Sequence, residues 1–96
     1  MSLEQLPSLE LLEANHSFPG RYMFKVVGWT DDEFEQRVLN AATEVLQTKQ
    51  ELIYSIRRTG TGRHVSVTIE PHVISGFEVL NVYRRMKTLD GLIMLW

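Results

Sequence analysis

Ninety-six residues, 44% hydrophobic and 23% charged, suit one domain with one core and leave no room for a second. A net charge of −2 offers no global positive field to gather nucleic acid or anionic lipid. The lack of cysteine excludes disulfides, thiolate catalysis and cysteine-ligated zinc or iron–sulfur clusters.

Residues 1–17 form an N-terminal arm with one short helix after Ser8, in which Leu9, Leu11 and Leu12 make the apolar side and Asn15 stands near the end. No basic segment followed by an apolar core opens it, and no later run approaches the ~18 apolar residues of a membrane span, so a cytoplasmic protein is expected. Phe18-Pro19-Gly20 breaks the helical pattern as a turn or extended segment. Arg21 to Gly28 is rich in aromatic and β-branched residues. There Tyr22, Phe24 and Val26 alternate with Met23, Lys25 and Val27, which predicts a central strand. Thr30-Asp31-Asp32-Glu33 matches a capping box and predicts a helix from about residue 31 to Gln47. Its sheet-facing stripe is Phe34, Val38, Ala41, Ala42 and Val45.

Gln50 to Pro71 reads as a β-hairpin around Gly60-Thr61-Gly62. In its second strand Val65, Val67 and Ile69 share one face while His64, Ser66, Thr68 and Glu70 share the other. In its first strand the inward set is Leu52, Tyr54 and Ile56, which puts Ser55 and Arg57 on the outer face. Ser75-Gly76-Phe77-Glu78 is a second capping box. The helix behind it runs to about Leu89, with Leu80, Tyr83 and Met86 inward and Arg84 and Arg85 outward. Asp90-Gly91 turns the chain into a last strand, Leu92 to Trp96.

The order β-α-β-β-α-β over residues 18–96 predicts an α+β, ferredoxin-like sandwich: a four-stranded antiparallel sheet of order 4-1-3-2 with two helices on one face. The other face stays open, presenting Lys25, Arg57, His64 and Ser66. Gly60-Thr61-Gly62 runs between strands and not into a helix, so it is a turn and not a phosphate cradle. His16, His64 and His72 lack the spacing of metal ligands, and a Ser66–His64 pair without an orienting acid is no acyl-transfer centre. No catalytic residue, metal or cofactor is expected. Two rival readings are a small hydrolase or acylphosphatase-like enzyme using His64, Arg57 or Ser66, and a nucleic-acid-binding module. Against them, the loop after the first strand is acidic, and the strand from His64 departs from the RNP1 pattern, so nucleic acid is not an expected partner.

Phe18-Pro19, Phe24-Lys25-Val26-Val27-Gly28, Val65-Ser66-Val67-Thr68, Ser75, Val82-Tyr83 and the ending Leu92-Ile93-Met94-Leu95 together resemble the YbeD-like family of uncharacterised bacterial proteins, domain of unknown function 493. That resemblance implies a fold similar to ACT-type regulatory domains of amino-acid metabolism, modules that pair into dimers and bind small ligands. It brings no catalytic residues. It implies a non-catalytic regulatory or protein-interaction module, with a ligand seat at Gly28, Trp29 and Thr30 where ACT-type domains hold theirs. Asp31 and Asp32 beside a helix N-terminus favour a zwitterionic amino acid or peptide segment over a phosphate. The last strand, an edge without a guarding charge, is expected either to pair with a second copy or to be covered by the N-terminal arm. A further, unidentified protein partner is expected on the open face.

Overall fold

The computed structural model describes residues 6–31, 33–47 and 52–96. Asp32 and residues 48–51, where the predicted hairpin begins, lie outside the described residues. The arm forms α1 (Leu9–Asn15), opened by Ser8, whose Oγ accepts the Leu11 amide at 3.1 Å. Only Leu12 of the three predicted apolar residues is fully buried, and Leu11 faces away from the domain, 59% exposed. α1 packs on α3 (Gly76–Met86), where Glu13 Oε1 accepts the Gly76 amide at 3.1 Å. The described part of the arm, residues 6–17, thus packs through α1 on α3, whereas one of the two expectations for the last strand had the arm cover that edge.

The predicted first strand is two strands. β1 (Gly20–Arg21) pairs with β5 (His72–Val73) in a small separate ladder, and β2 (Phe24–Trp29) enters the main sheet. Between them the Tyr22 amide donates to Pro71, so the chain changes partners there. The main sheet is completed by β3 (Tyr54–Arg58), β4 (His64–Ile69) and β6 (Leu92–Leu95), in the order β3-β4-β2-β6, antiparallel throughout. This is the 4-1-3-2 order expected. Gly62, at φ +74°, makes the hairpin turn, its amide donating to Thr59.

α2 (Phe34–Leu46) starts three residues later than the predicted capping box requires. Glu33 is the N-cap, in the left-handed region at φ 52°, and makes no side-chain cap. Thr30 is diverted: its hydroxyl donates to the carbonyls of Gly62 and Arg63, tying the β2–α2 loop to the hairpin turn. The second capping box forms in half. Ser75 Oγ accepts the Glu78 amide, but the Glu78 carboxylate reaches past Ser75 to the Ile74 amide at 3.0 Å.

The core lies between one face of the sheet and α2 with α3. Phe24, Val26, Val65, Val67, Ile69 and Leu95 face Phe34, Val38, Ala41, Ala42, Val79, Val82, Tyr83 and Met86, all essentially without solvent contact. The helices stop one strand short. Tyr54 and Ile56 register with Ile69 and Val67 and so point to the helix side as predicted, yet both stay exposed, because among the described residues neither α2 nor α3 packs extensively on β3. Arg58, next on that side, reaches across to Glu35 of α2 at 2.6 Å. Among the described residues, no helix is long and apolar enough to cross a membrane.

Candidate functional site

Side-chain alternation fixes what the uncovered side of the sheet presents. Wherever Phe24, Val26 and Gly28 turn to the helices, Lys25, Val27 and Trp29 turn away, and the register carries that parity across the neighbours. One row across the sheet is Ser55, Thr68, Lys25 and Trp96, the last joined to Lys25 by reciprocal backbone hydrogen bonds. The next is Arg57, Ser66, Val27 and Met94. A third pairs His64 with Trp29. At the opposite end Ile53 accepts the Glu70 amide and lies near Met23.

Lys25, Arg57, His64 and Ser66, the four residues predicted to share this face, are therefore brought together. The sequence reading missed how apolar their surroundings are. Of the ten large apolar side chains left exposed among the described residues, five lie here: Met23, Trp29, Ile53, Met94 and Trp96. Continuing the same alternation to Met23 and Ile53 would have found two of them. Polar and aromatic groups are coupled on the face. Lys25 Nζ sits 5.4 Å from the centroid of the Trp96 ring, and the His64 ring stands edge-on to Trp29 at 4.7 Å.

Each end of the face has a depression. One, of about 250 Å³, is a shallow cleft lined by Trp29, Thr30, Asp31 and Arg63. The Thr30 bonds to the hairpin turn hold its two walls together. It offers a flat ring, one carboxylate and one guanidinium. The other, about 240 Å³, is lined by Met23, Ile53, Tyr54, Ser55, Thr68 and Glu70. Trp29 and Thr30 thus stand where a ligand could reach them. Gly28 does not: it belongs to the helix side, and a Cβ built there would collide with the Phe34 ring. Its missing side chain makes room for a core ring, not for a ligand.

Ser66 Oγ is shut off from solvent and has no hydrogen-bond partner, so His64 does not polarise it as the hydrolase reading needs. Among the described residues, no three His, Asp or Glu side chains converge as metal ligands. Two displaced titrations belong to the helix side. Burial, helped by a 3.1 Å bond to the Tyr22 hydroxyl, pushes the Tyr83 phenol far above its ordinary range. A backbone hydrogen bond, reinforced by the Arg58 guanidinium, holds the Glu35 carboxyl below its usual value against a smaller desolvation effect.

Comparison with known proteins agrees with this architecture. A family model described as "Protein of unknown function (DUF493)" matches residues 13–96. A solution structure of hypothetical protein HP0495 from Helicobacter pylori superposes with a TM-score of 0.58 at 13% identity, covering 86% of this chain and 99% of that one. A second solution structure of HP0495 gives a TM-score of 0.62 at 14% identity, covering 96% of each chain. At these identities the likeness is one of fold. No curated protein matches the chain.

Proposed function

The chain belongs to the DUF493 family of proteins of unknown function, and from that premise we propose that it is a non-catalytic, regulatory interaction module whose uncovered sheet face receives a protein partner. One observation carries the reading: among the described residues, half of the exposed large apolar side chains lie on that single face, set among Lys25, Arg57 and Glu70. Apolar anchors ringed by charge are what a protein interface asks of a surface, and methionine adapts to an irregular partner. The enzyme rival draws on His64, Arg57 or Ser66, and the unpartnered hydroxyl argues against the version that needs an activated Ser66. A photo-crosslinking residue in place of Met94 is expected to capture a discrete protein from native extract, while the same group in place of Phe77 on α3 captures none. Equal capture at both positions overturns the assignment. Turnover of acyl phosphates or simple esters that disappears in His64→Ala overturns the non-catalytic part.

A second reading rests on the cleft at Trp29. A carboxylate, a guanidinium and an aromatic wall suit a zwitterionic amino acid, whose ammonium would face Asp31 and whose carboxylate would face Arg63. With Trp96→Phe leaving Trp29 as the sole indole, titration of the amino acids should give one saturable change in fluorescence. No saturation with any of them retires this seat.

A further inference from the structure

β3 ends the sheet on one side, and its outer edge is more exposed than β6 on the other. All five residues of β3 are exposed, whereas Leu95 of β6 is buried. The direction of its backbone groups follows from two bonds. Ile53 accepts the Glu70 amide and Thr59 donates to His64, so the odd-numbered residues of β3 face β4. The N–H and C=O of Tyr54, Ile56 and Arg58 therefore point outward. The side chains of the same three residues stand on the helix side, where the described helices leave them largely uncovered, with Tyr54 51% and Ile56 41% exposed. Backbone donors, backbone acceptors and uncovered apolar side chains thus coincide on alternate residues of one edge.

The geometry points to a second copy of this chain as the occupant, with β3 pairing antiparallel to β3 of its partner about a two-fold axis through Ile56. In that register each outward-pointing residue meets another: Ile56 faces Ile56, and Tyr54 faces Arg58. Every outward amide and carbonyl of the three residues is then bonded. The charges select the same register. It sets Ser55 against Arg57 and a tyrosine ring against a guanidinium, a favourable cross-strand pair. Shifting the axis by one residue toward Arg57 keeps the outward groups in phase, but it sets Arg57 against Arg57 and carries Tyr54 past the end of β3 to Gly60. An unrelated extended peptide could borrow the edge, but a copy of β3 carries an aromatic ring and a guanidinium at the matching spacing, the latter already steadied by Glu35. The inference is independent of the proposed partner on the open face, which this pairing leaves uncovered on both copies.

Ile56→Pro removes an outward N–H while sparing the bonds to β4, so the fold should survive and association should not. Losing two backbone bonds across the axis should raise the dimer dissociation constant by about thirtyfold or more. Ile56→Lys is the second variant. Its side chain is already exposed, and it sets two ammonium groups face to face. Sedimentation equilibrium should show a dimer for the natural sequence that falls apart on dilution, and monomers for both variants at matched concentration and circular dichroism. Because the chain has no cysteine, single Ile56→Cys, Ile93→Cys and Met94→Cys variants can be challenged with a short bismaleimide, and only Ile56→Cys should give a covalent dimer. A strict monomer at millimolar concentration, a dimer that survives both Ile56 variants, or cross-linking at Ile93→Cys or Met94→Cys in its place overturns the assignment. Those last two outcomes would move the contact to β6 or to the sheet face.

Discussion

Gly28 shows how a residue can be singled out correctly for the wrong reason. A glycine ending a strand beside a tryptophan resembles a ligand seat, but the space it leaves is filled by the buried ring of Phe34. Gly28→Ala should therefore cost about 1–3 kcal/mol by overpacking, read from denaturant unfolding. Trimming the ring with Phe34→Leu in the same chain should return part of that loss, since the two sites share one volume. Tyr83 gives a pH signature. Its folded pKa is raised above the unfolded value of ~10, so its contribution is complete below that pH and is lost as the solution becomes more alkaline. Tyr83→Phe should be less stable by about 1 kcal/mol at neutral pH, through loss of the bond to Tyr22, and its stability should fall less steeply above pH ~10. Unfolding midpoints measured at a series of alkaline pH values separate the two effects.

Among the elements, α2 depends least on its own sequence for its ends. It is entered through Glu33 and left through Gln47, both left-handed, at φ 52° and 48°, and neither is glycine. Gln47 is exposed, and its amide already donates to Thr43, so Gln47→Gly should keep the bond, relieve the conformation and stabilise the protein by about 0.5–1 kcal/mol. Thermal melts suffice to read it. α1 is held mainly by one side chain. Leu12→Ala should cost about 2–3 kcal/mol and speed amide exchange throughout Leu9–Asn15, while the β2 and β4 amides keep their relative protection. The capping boxes mark the limit of local motifs. Thr30 and Ser75 have the same four-residue signature, but Ser75 accepts a helix amide, whereas the Thr30 hydroxyl donates to two hairpin carbonyls far away in sequence.

For the molecule as a whole, strand order, the single helix layer and the polar members of the open face were readable from period-2 and period-3.6 patterns, because burial on one side writes those periods directly. Three features were not. The split of the first strand into β1 and β2 depends on Pro71 accepting the Tyr22 amide, a partner that alternation cannot name. Tyr54 and Ile56 have the right parity for burial, but parity gives a direction and not whether a helix extends that far. The cleft beside Trp29 also needed Arg63, brought there by the hairpin turn and separated from Trp29 by two elements. The placement of β2 between β4 and β6 also bears on how fast the protein acquires its structure. The β3–β4 hairpin closes a short loop, whereas Val27 must find Met94, Tyr22 must find Tyr83 61 residues away, and Glu13 must find Gly76 63 residues away. Loop-closure entropy makes the hairpin with α2 the natural nucleus and leaves the closing of β6 and α1 to follow the rate-limiting barrier. Val67→Ala should then slow refolding in stopped-flow experiments, while Leu95→Ala leaves refolding nearly unchanged and accelerates unfolding. The lifetime of the native state would be set by its last strand, and its speed of formation by the hairpin.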